Sequence, residues 1–135
     1  MAAEVLAEID SWFEVYIFAP LRESENPAGA VAAMVGAVDS YFRSGHRVCL
    51  VGVIALGASR DMFAVQVQDY FVRWNDSLAR MLGRSGLSAR VARRRSFDAL
   101  ITIQGALVLA RALGDARIFG QAMAALSTRL LAKPD

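Results

Sequence analysis

Residues 99–126 read ALITIQGALVLARALGDARIFGQAMAAL, and this stretch decides the fold that we expect. Up to Leu113, apolar residues occur on every side of a helix with about 3.6 residues per turn. Gly114 is placed to end that helix, and Asp115 is placed to cap the next one. A helix that is apolar all round must be covered all round, and neighbours within a domain of this size cover one side only. The stretch therefore predicts a helix pair that a second subunit completes.

Two such helices from each of two subunits predict a four-helix interface across a two-fold axis, and hence a homodimer. Alanines and Gly105 on these helices allow a close approach of backbones. The predicted interface residues are Ala99, Ile103, Ala106 and Ala110 on the first helix, with Phe119, Ala122, Met123 and Leu126 on the second. A monomer with one thick core is the alternative that the residues leave open.

The rest of the chain also has apolar residues at three- and four-residue steps, which is typical of amphipathic helices. The first helix is expected to stop at Pro20, which has no backbone N–H, and Pro27 suits the first turn of the next helix. Ser88 is expected to cap the long helix before residue 114. The prediction is an all-α fold: a single domain over residues 1–135, built as an antiparallel bundle of about six helices, with the last two forming a four-helix dimer interface.

Composition excludes several classes of protein. Apolar residues make up 56% of the chain, yet the uncharged segment Val48–Ser59 is shorter than the roughly 20 residues of a spanning helix. Glu4, Glu8 and Asp10 stand where a signal peptide would be basic and then apolar. The single cysteine excludes an internal disulfide and fits a reducing compartment. We therefore expect a cytoplasmic protein without a membrane segment.

The segment Val48–Ser59 holds Cys49, and the only histidine, His46, lies just before it. A lone strand has no partner, so the segment is interpreted as a short buried helix. A thiol nucleophile needs a base and a third group that orients the base, and no spacing specifies that third group. One cysteine and one histidine do not complete a zinc site. We expect neither enzyme activity nor a bound metal or cofactor.

Five arginines lie within twelve positions: Arg84, Arg90, Arg93, Arg94 and Arg95. A phosphate-binding patch is the functional interpretation of such a cluster. The net charge is only +2, and no aromatic residue is interleaved before Phe97. These observations favour a solvated helix start and its preceding loop over a nucleic-acid site.

Three strings resemble the C-terminal regulatory domain of TetR-family transcriptional repressors: RVCLVGVIALG, DYFVRWNDSLARML and the stretch quoted first. The LmrA/YxaF-like branch is the nearest match, with Cys49–Leu50 and Ile103–Gln104–Gly105 at the places of its "GC-L" and "IQG" segments. The opening SWFEVYIFAPLRE is similar to that branch's fourth helix running into its fifth. The resemblance covers nearly the whole chain.

The resemblance implies a ligand-sensing and dimerisation domain. Family members place a three-helix DNA-binding head before this domain, and we expect that head to be absent from this chain. Operator DNA would then be contacted only through the missing head, and effector binding would release it in the intact repressor. The alternative is a stand-alone headless helical module for dimerisation or binding, without DNA binding.

The resemblance also implies an effector site in the middle of the helices. Asn75 and Gln104 are amides among apolar residues, and an apolar wall with one or two amides is typical of small-molecule sites. We expect a small hydrophobic or aromatic effector. The predicted lining residues are Trp12, Tyr16, Met34, Phe42, Cys49, Phe71, Trp74, Asn75 and Gln104. Core packing is the alternative for the aromatic residues, and a hydrogen bond across the dimer interface is the alternative for Gln104.

Overall fold

A computed structural model describes residues 2–42, 45, 49–57 and 61–133, and these contain helices and no strand. The elements are α1 (Ala2–Phe13), a π-helical turn (Glu14–Phe18), α2 (Ala19–Glu23), α3 (Pro27–Tyr41), α4 (Leu50–Leu56), α5 (Ala64–Arg84), α6 (Ala89–Leu113) and α7 (Arg117–Leu130). The first three follow one another without a break, so the described part has six separate helices. The short connections from α5 to α6 and from α6 to α7 make these neighbours antiparallel. The predicted all-α bundle is confirmed.

The predicted helix stop at Pro20 is wrong, because the helix continues to Glu23. In a regular α-helix, the proline ring collides with the carbonyl group four residues earlier. Here the turn before the proline is π-helical, and a π-helix closes each hydrogen bond over five residues instead of four. The N–H of Ala19 accordingly donates to the carbonyl of Glu14. This wider turn lets the chain pass through the proline and stay helical.

The predicted boundaries of α6 are confirmed, and so is the start of α3 at a proline. Ser88 Oγ accepts the N–H of Val91 at 3.2 Å, which satisfies one free donor at the start of α6. Gly114 ends α6 in the left-handed conformation, at φ 63°. Asp115 Oδ1 then accepts the N–H of Arg117 at 3.0 Å, but the N-cap residue of α7 is Ala116, one position later than predicted. Local side-chain chemistry thus accounts for both ends of α6.

Aromatic side chains from α1, the π-helical turn and α5 meet in the centre of the domain. The ring centroid of Phe13 lies 5.1 Å from that of Tyr70 and 5.2 Å from that of Trp74. Phe18 approaches the same two rings at 5.7 and 6.1 Å. Edge-to-face and offset pairs at such distances stabilise beyond the burial of their area. The cluster holds α1 against α5.

The α6 helix is covered on one side only, as its sequence predicted. The buried side consists of Ala92, Ser96, Ala99, Leu100, Ile103, Ala106, Leu107 and Ala110. The other side carries five large apolar residues that are each more than half exposed: Phe97, Ile101, Val108, Leu109 and Leu113. We call these five residues the α6 stripe.

The residues predicted for the dimer interface lie mostly inside one chain. Ala99, Ile103, Ala106, Ala110, Phe119, Met123 and Leu126 are buried, and Ala122 is partly buried against the same core. They are buried because α5 and α7 both pack on that side of α6. A buried side chain has no surface left for a second subunit. The structure therefore corrects the assignment, and the exposed apolar surface is the α6 stripe.

The short helix α4 is only partly buried, which corrects the expectation for the segment 48–59. Cys49 and Val51 are buried, whereas Leu50 and Val53 are about half exposed and Leu56 is almost fully exposed. Burial therefore explains the lack of charge on one side of α4 only.

The α6 helix is long and apolar enough to cross a membrane by length and composition, and it is the one such helix in the described ranges. The mean hydropathy of its most apolar window is 1.4, and 39% of that window is buried inside the protein. Core helices of soluble proteins meet the same criteria.

Candidate functional site

A cavity of about 280 Å³ lies between α1, α4 and the start of α5. Its size is close to the lower end of the roughly 300–1,000 Å³ that small-molecule sites occupy. The lining residues are Ala3, Leu6, Ala7, Asp10, Val51, Phe63, Gln66, Asp69 and Tyr70. We call this space the α1/α5 cavity. Its wall is mostly apolar, with carboxylates, an amide and a phenol among the lining groups.

Tyr70, one of the lining residues, carries a buried polar group. The residue is 2% exposed, and its hydroxyl has no hydrogen-bond partner among the described residues. Burial raises the pKa of Tyr70 well above its ordinary value of 10.0, and the neighbouring Cys49, Tyr41 and Asp10 raise it further. The hydroxyl therefore stays protonated. An unpaired buried hydroxyl costs about 1–3 kcal/mol.

The two carboxylates of the cavity belong to an ion-pair network that links α1 to α5. Arg73 pairs with Asp10, lies 2.8 Å from Asp69 through Nε, and lies 3.2 Å from Glu14 through Nη1. Arg22 contacts the other oxygen of Glu14 at 2.5 Å. Three carboxylates thus face two guanidinium groups, which leaves one negative charge in surplus.

None of the nine predicted ligand residues lines the α1/α5 cavity. The sequence pattern could have indicated Asp10, because this residue shares one face of α1 with Ala3, Leu6 and Phe13 at helical spacing. A carboxylate on an apolar helix face needs a partner or a ligand. Val51 and Phe63 carry no such signal, since an apolar wall residue and an apolar core residue look alike in a sequence.

Three of the nine predicted ligand residues, Phe71, Asn75 and Gln104, line a second and more open space. This groove of about 480 Å³ runs between α5 and α6 and is lined by Phe71, Val72, Asn75, Phe97, Leu100, Ile101, Gln104 and Gly105. Asn75 is held there by Ser96, whose hydroxyl lies 2.7 Å from Asn75 Oδ1 and 2.8 Å from its carbonyl oxygen. The groove continues into the α6 stripe at Phe97 and Ile101.

The other predicted ligand residues are placed elsewhere. Met34, Phe42 and Trp74 are core residues with almost no exposed surface. Trp12 is half-buried, and Tyr16 is 58% exposed on the π-helical turn. The nine residues therefore do not line one cavity in the described part of the chain. A helical stripe shows which residues face inward, but core and pocket wall share this property.

Cys49 is the last predicted ligand residue, and its environment is that of a buried, unreactive thiol. It caps α4, with Sγ accepting the N–H of Gly52 at 3.5 Å. Burial raises the pKa of the Cys49 thiol above its ordinary value of 9.0, while the N–H of Gly52 and the nearby side chains of Gln104 and Tyr70 act in the opposite direction. His46, its candidate base, lies outside the described residues. A raised pKa disfavours the thiolate that a nucleophile requires.

The arginine cluster is largely used in contacts within the chain. Arg84 donates to the carbonyl of Leu21, and Arg93 lies 3.3 Å from Asp76. Arg95 donates to backbone carbonyls at the end of α7. These contacts support the structural interpretation of the cluster over a nucleic-acid site.

One protein family matches the chain. The sequence profile described as the C-terminal domain of LmrA/YxaF-like transcriptional regulators matches residues 27–125, well over half of the chain. The matched region includes α3 to α6, most of α7, and the cavity residues contributed by α4 and α5. No curated protein and no solved structure matches.

Proposed function

Since the chain belongs to the TetR family of transcriptional regulators, as an LmrA/YxaF-like C-terminal domain, we propose that it senses a small hydrophobic or aromatic effector and dimerises. The α1/α5 cavity carries this proposal, because it is a mostly apolar space with a few polar groups inside a regulator domain. The domain binds and does not catalyse. Its site is the α1/α5 cavity instead of the nine-residue set expected from the sequence.

In the intact repressor, the effector binds one of two dimer geometries more tightly and shifts the population toward it. The shift changes the separation of the two DNA-reading heads that precede this domain in the family. Those heads must match successive major grooves, about 34 Å apart for one helical turn. A mismatch releases the operator, and the regulator carries out this cycle in the cytoplasm.

The α6 stripe supports the dimer. It extends from Phe97 to Leu113, about 24 Å along the helix at 1.5 Å per residue. A β-carbon at Gly105, in the middle of this side, would have no neighbour within 4 Å, so the backbone there is open to close approach. Gly120 and Ala124 add exposed small residues on α7. A contiguous apolar surface of this kind marks an interaction site, and a two-fold axis pairs it with itself.

The sensing function is tested by a thermal-shift screen of hydrophobic and aromatic compounds. A compound present at about 100 times its Kd should stabilise the domain by about 2.7 kcal/mol. Ala7 is exposed and lines the cavity, so Ala7→Phe should fill the cavity without disturbing the core and should abolish the shift. Ala33→Phe, at an exposed position of α3, is the matched control and should keep the shift. A screen without hits, or hits that survive Ala7→Phe, would contradict the proposal.

Dimerisation is tested by sedimentation equilibrium. Val108→Glu places a charge in the α6 stripe, and this variant should sediment as a monomer. Val65→Glu places the same charge at an exposed apolar position of α5 and should leave the dimer intact. A wild-type protein that remains monomeric at high concentration would contradict the proposed dimer.

A further inference from the structure

The charged residues that line the α1/α5 cavity, among those described, are acidic. Asp10 and Asp69 line it, and none of its described lining residues is a lysine or an arginine. Arg73 neutralises part of this charge, but its network with Arg22 retains one negative charge in surplus. Residues 2–21 add Glu4 and Glu8 and contain no basic residue. The α4 wall carries no charge at all.

Two aromatic side chains lie in the same lining. Phe63 and Tyr70 are 7% and 2% exposed. Water therefore does little to weaken the attraction between their rings and a cation. An aromatic face attracts cations by about 0.5–2 kcal/mol, most strongly where water is excluded. Aromatic rings and carboxylates together favour a positive ligand over a negative one.

We propose that the effector of this cavity is an organic cation with an apolar body, a statement that rests on the proposed sensing function. The positive group lies at Asp10 and Asp69, next to the two rings, and the apolar body packs against Leu6 and Val51. The same carboxylates disfavour anionic compounds. Because Asp10 also pairs with Arg73, the bound cation shares this carboxylate with the link between α1 and α5.

The test uses three probes of one shape and different charge: 2-(2-naphthyl)ethylamine, 2-(2-naphthyl)ethanol and 2-naphthylacetate. Calorimetric titration of the whole chain at neutral pH and low ionic strength gives their Kd values. The amine should bind at least about tenfold more tightly than the alcohol, and the acetate should bind more weakly than both. Added salt should reduce the preference for the amine.

Variants locate the charge that is responsible. Asp10→Asn should weaken amine binding about tenfold and change alcohol binding far less. Asp76→Asn removes a carboxylate of similar exposure that pairs with Arg93 away from the cavity, and it should change neither Kd. If Asp10→Asn fails to fold, Asp69→Asn provides the same comparison.

The outcomes separate this proposal from the function on which it rests. If the alcohol or the acetate binds as tightly as the amine, or if Asp10→Asn and Asp69→Asn keep the preference for the amine, the cavity is a sensor site but not a cation site. If none of the three probes binds and the hydrophobic screen also gives no hit, the sensing function itself fails.

Discussion

A β-carbon at Gly52 of α4 would lie 2.5 Å from the side-chain oxygen of Gln104 on α6. The two helices therefore approach at a point where residue 52 has no side chain. Gln104 Nε2 is buried there without a partner among the described residues. The contact joins the helix that walls the cavity to the helix that carries the α6 stripe.

We expect the effect of Gly52→Ala to depend on residue 104. In a Gln104→Ala background, Gly52→Ala should stabilise the fold by about 0.5–1 kcal/mol, because alanine is favoured over glycine within a helix. With Gln104 present, the new methyl group must displace its amide, so the gain should shrink or reverse. Urea titrations of the four proteins give the coupling free energy. Equal effects in both backgrounds would contradict the close approach.

Arg73 should contribute more to stability than an exposed arginine does. Arg73→Leu leaves Asp10, Glu14 and Asp69 without their shared cation, and we expect a loss of about 1–3 kcal/mol in the free energy of unfolding. The comparison is Arg93→Leu, which removes a single exposed pair and should cost less than about 1 kcal/mol. Chemical denaturation measures both, and similar losses would mean that the network is no more than a set of surface pairs.

Two buried hydroxyl groups should respond in opposite ways to deletion. Ser96→Ala removes a hydroxyl that is paired with Asn75, and it should cost about 1–2 kcal/mol. Tyr70→Phe removes an unpaired hydroxyl, so it should leave stability unchanged or raise it by up to about 1 kcal/mol. Thermal and urea unfolding of the two variants test this contrast. A clear loss of stability in Tyr70→Phe would reveal a partner for its hydroxyl.

Stability should decline at alkaline pH because of Cys49 and Tyr70. Burial raises the pKa of both groups above their ordinary values of 9.0 and 10.0. Above these values the unfolded chain releases the two protons while the folded chain keeps them, so the folded state binds more protons and loses stability as pH rises. Each group contributes up to about 1.4 kcal/mol per pH unit, and below pH 9 the contribution is fully present.

The check is urea unfolding between about pH 8 and about pH 10.5. The double variant Cys49→Ala/Tyr70→Phe should lose less stability over this range than the wild-type protein. Parallel curves for the two proteins would show that neither group titrates differently on folding.

Local chemistry made much of the fold predictable. Ser88 and Gly114 mark the ends of α6 through backbone hydrogen bonding and a left-handed residue, and both effects act within a few residues. The predicted helix end at Pro20 was wrong, because a π-helical turn accommodates the proline. The preferences of single residues do not reveal such a turn. The cavity was beyond prediction for a similar reason: space between helices depends on how three elements fit together.

Periodicity was sufficient to show that α6 is apolar all round and that one domain covers half of it. It did not show which half. Ile103 and Val108 are equally apolar in the sequence, yet Ile103 is fully buried and Val108 is 59% exposed. The helix period assigns residues to a common face, whereas the fit between that face and its neighbours decides whether it turns inward. Here α5 and α7 pack on the alanine-rich side, and the larger side chains of the α6 stripe remain outside.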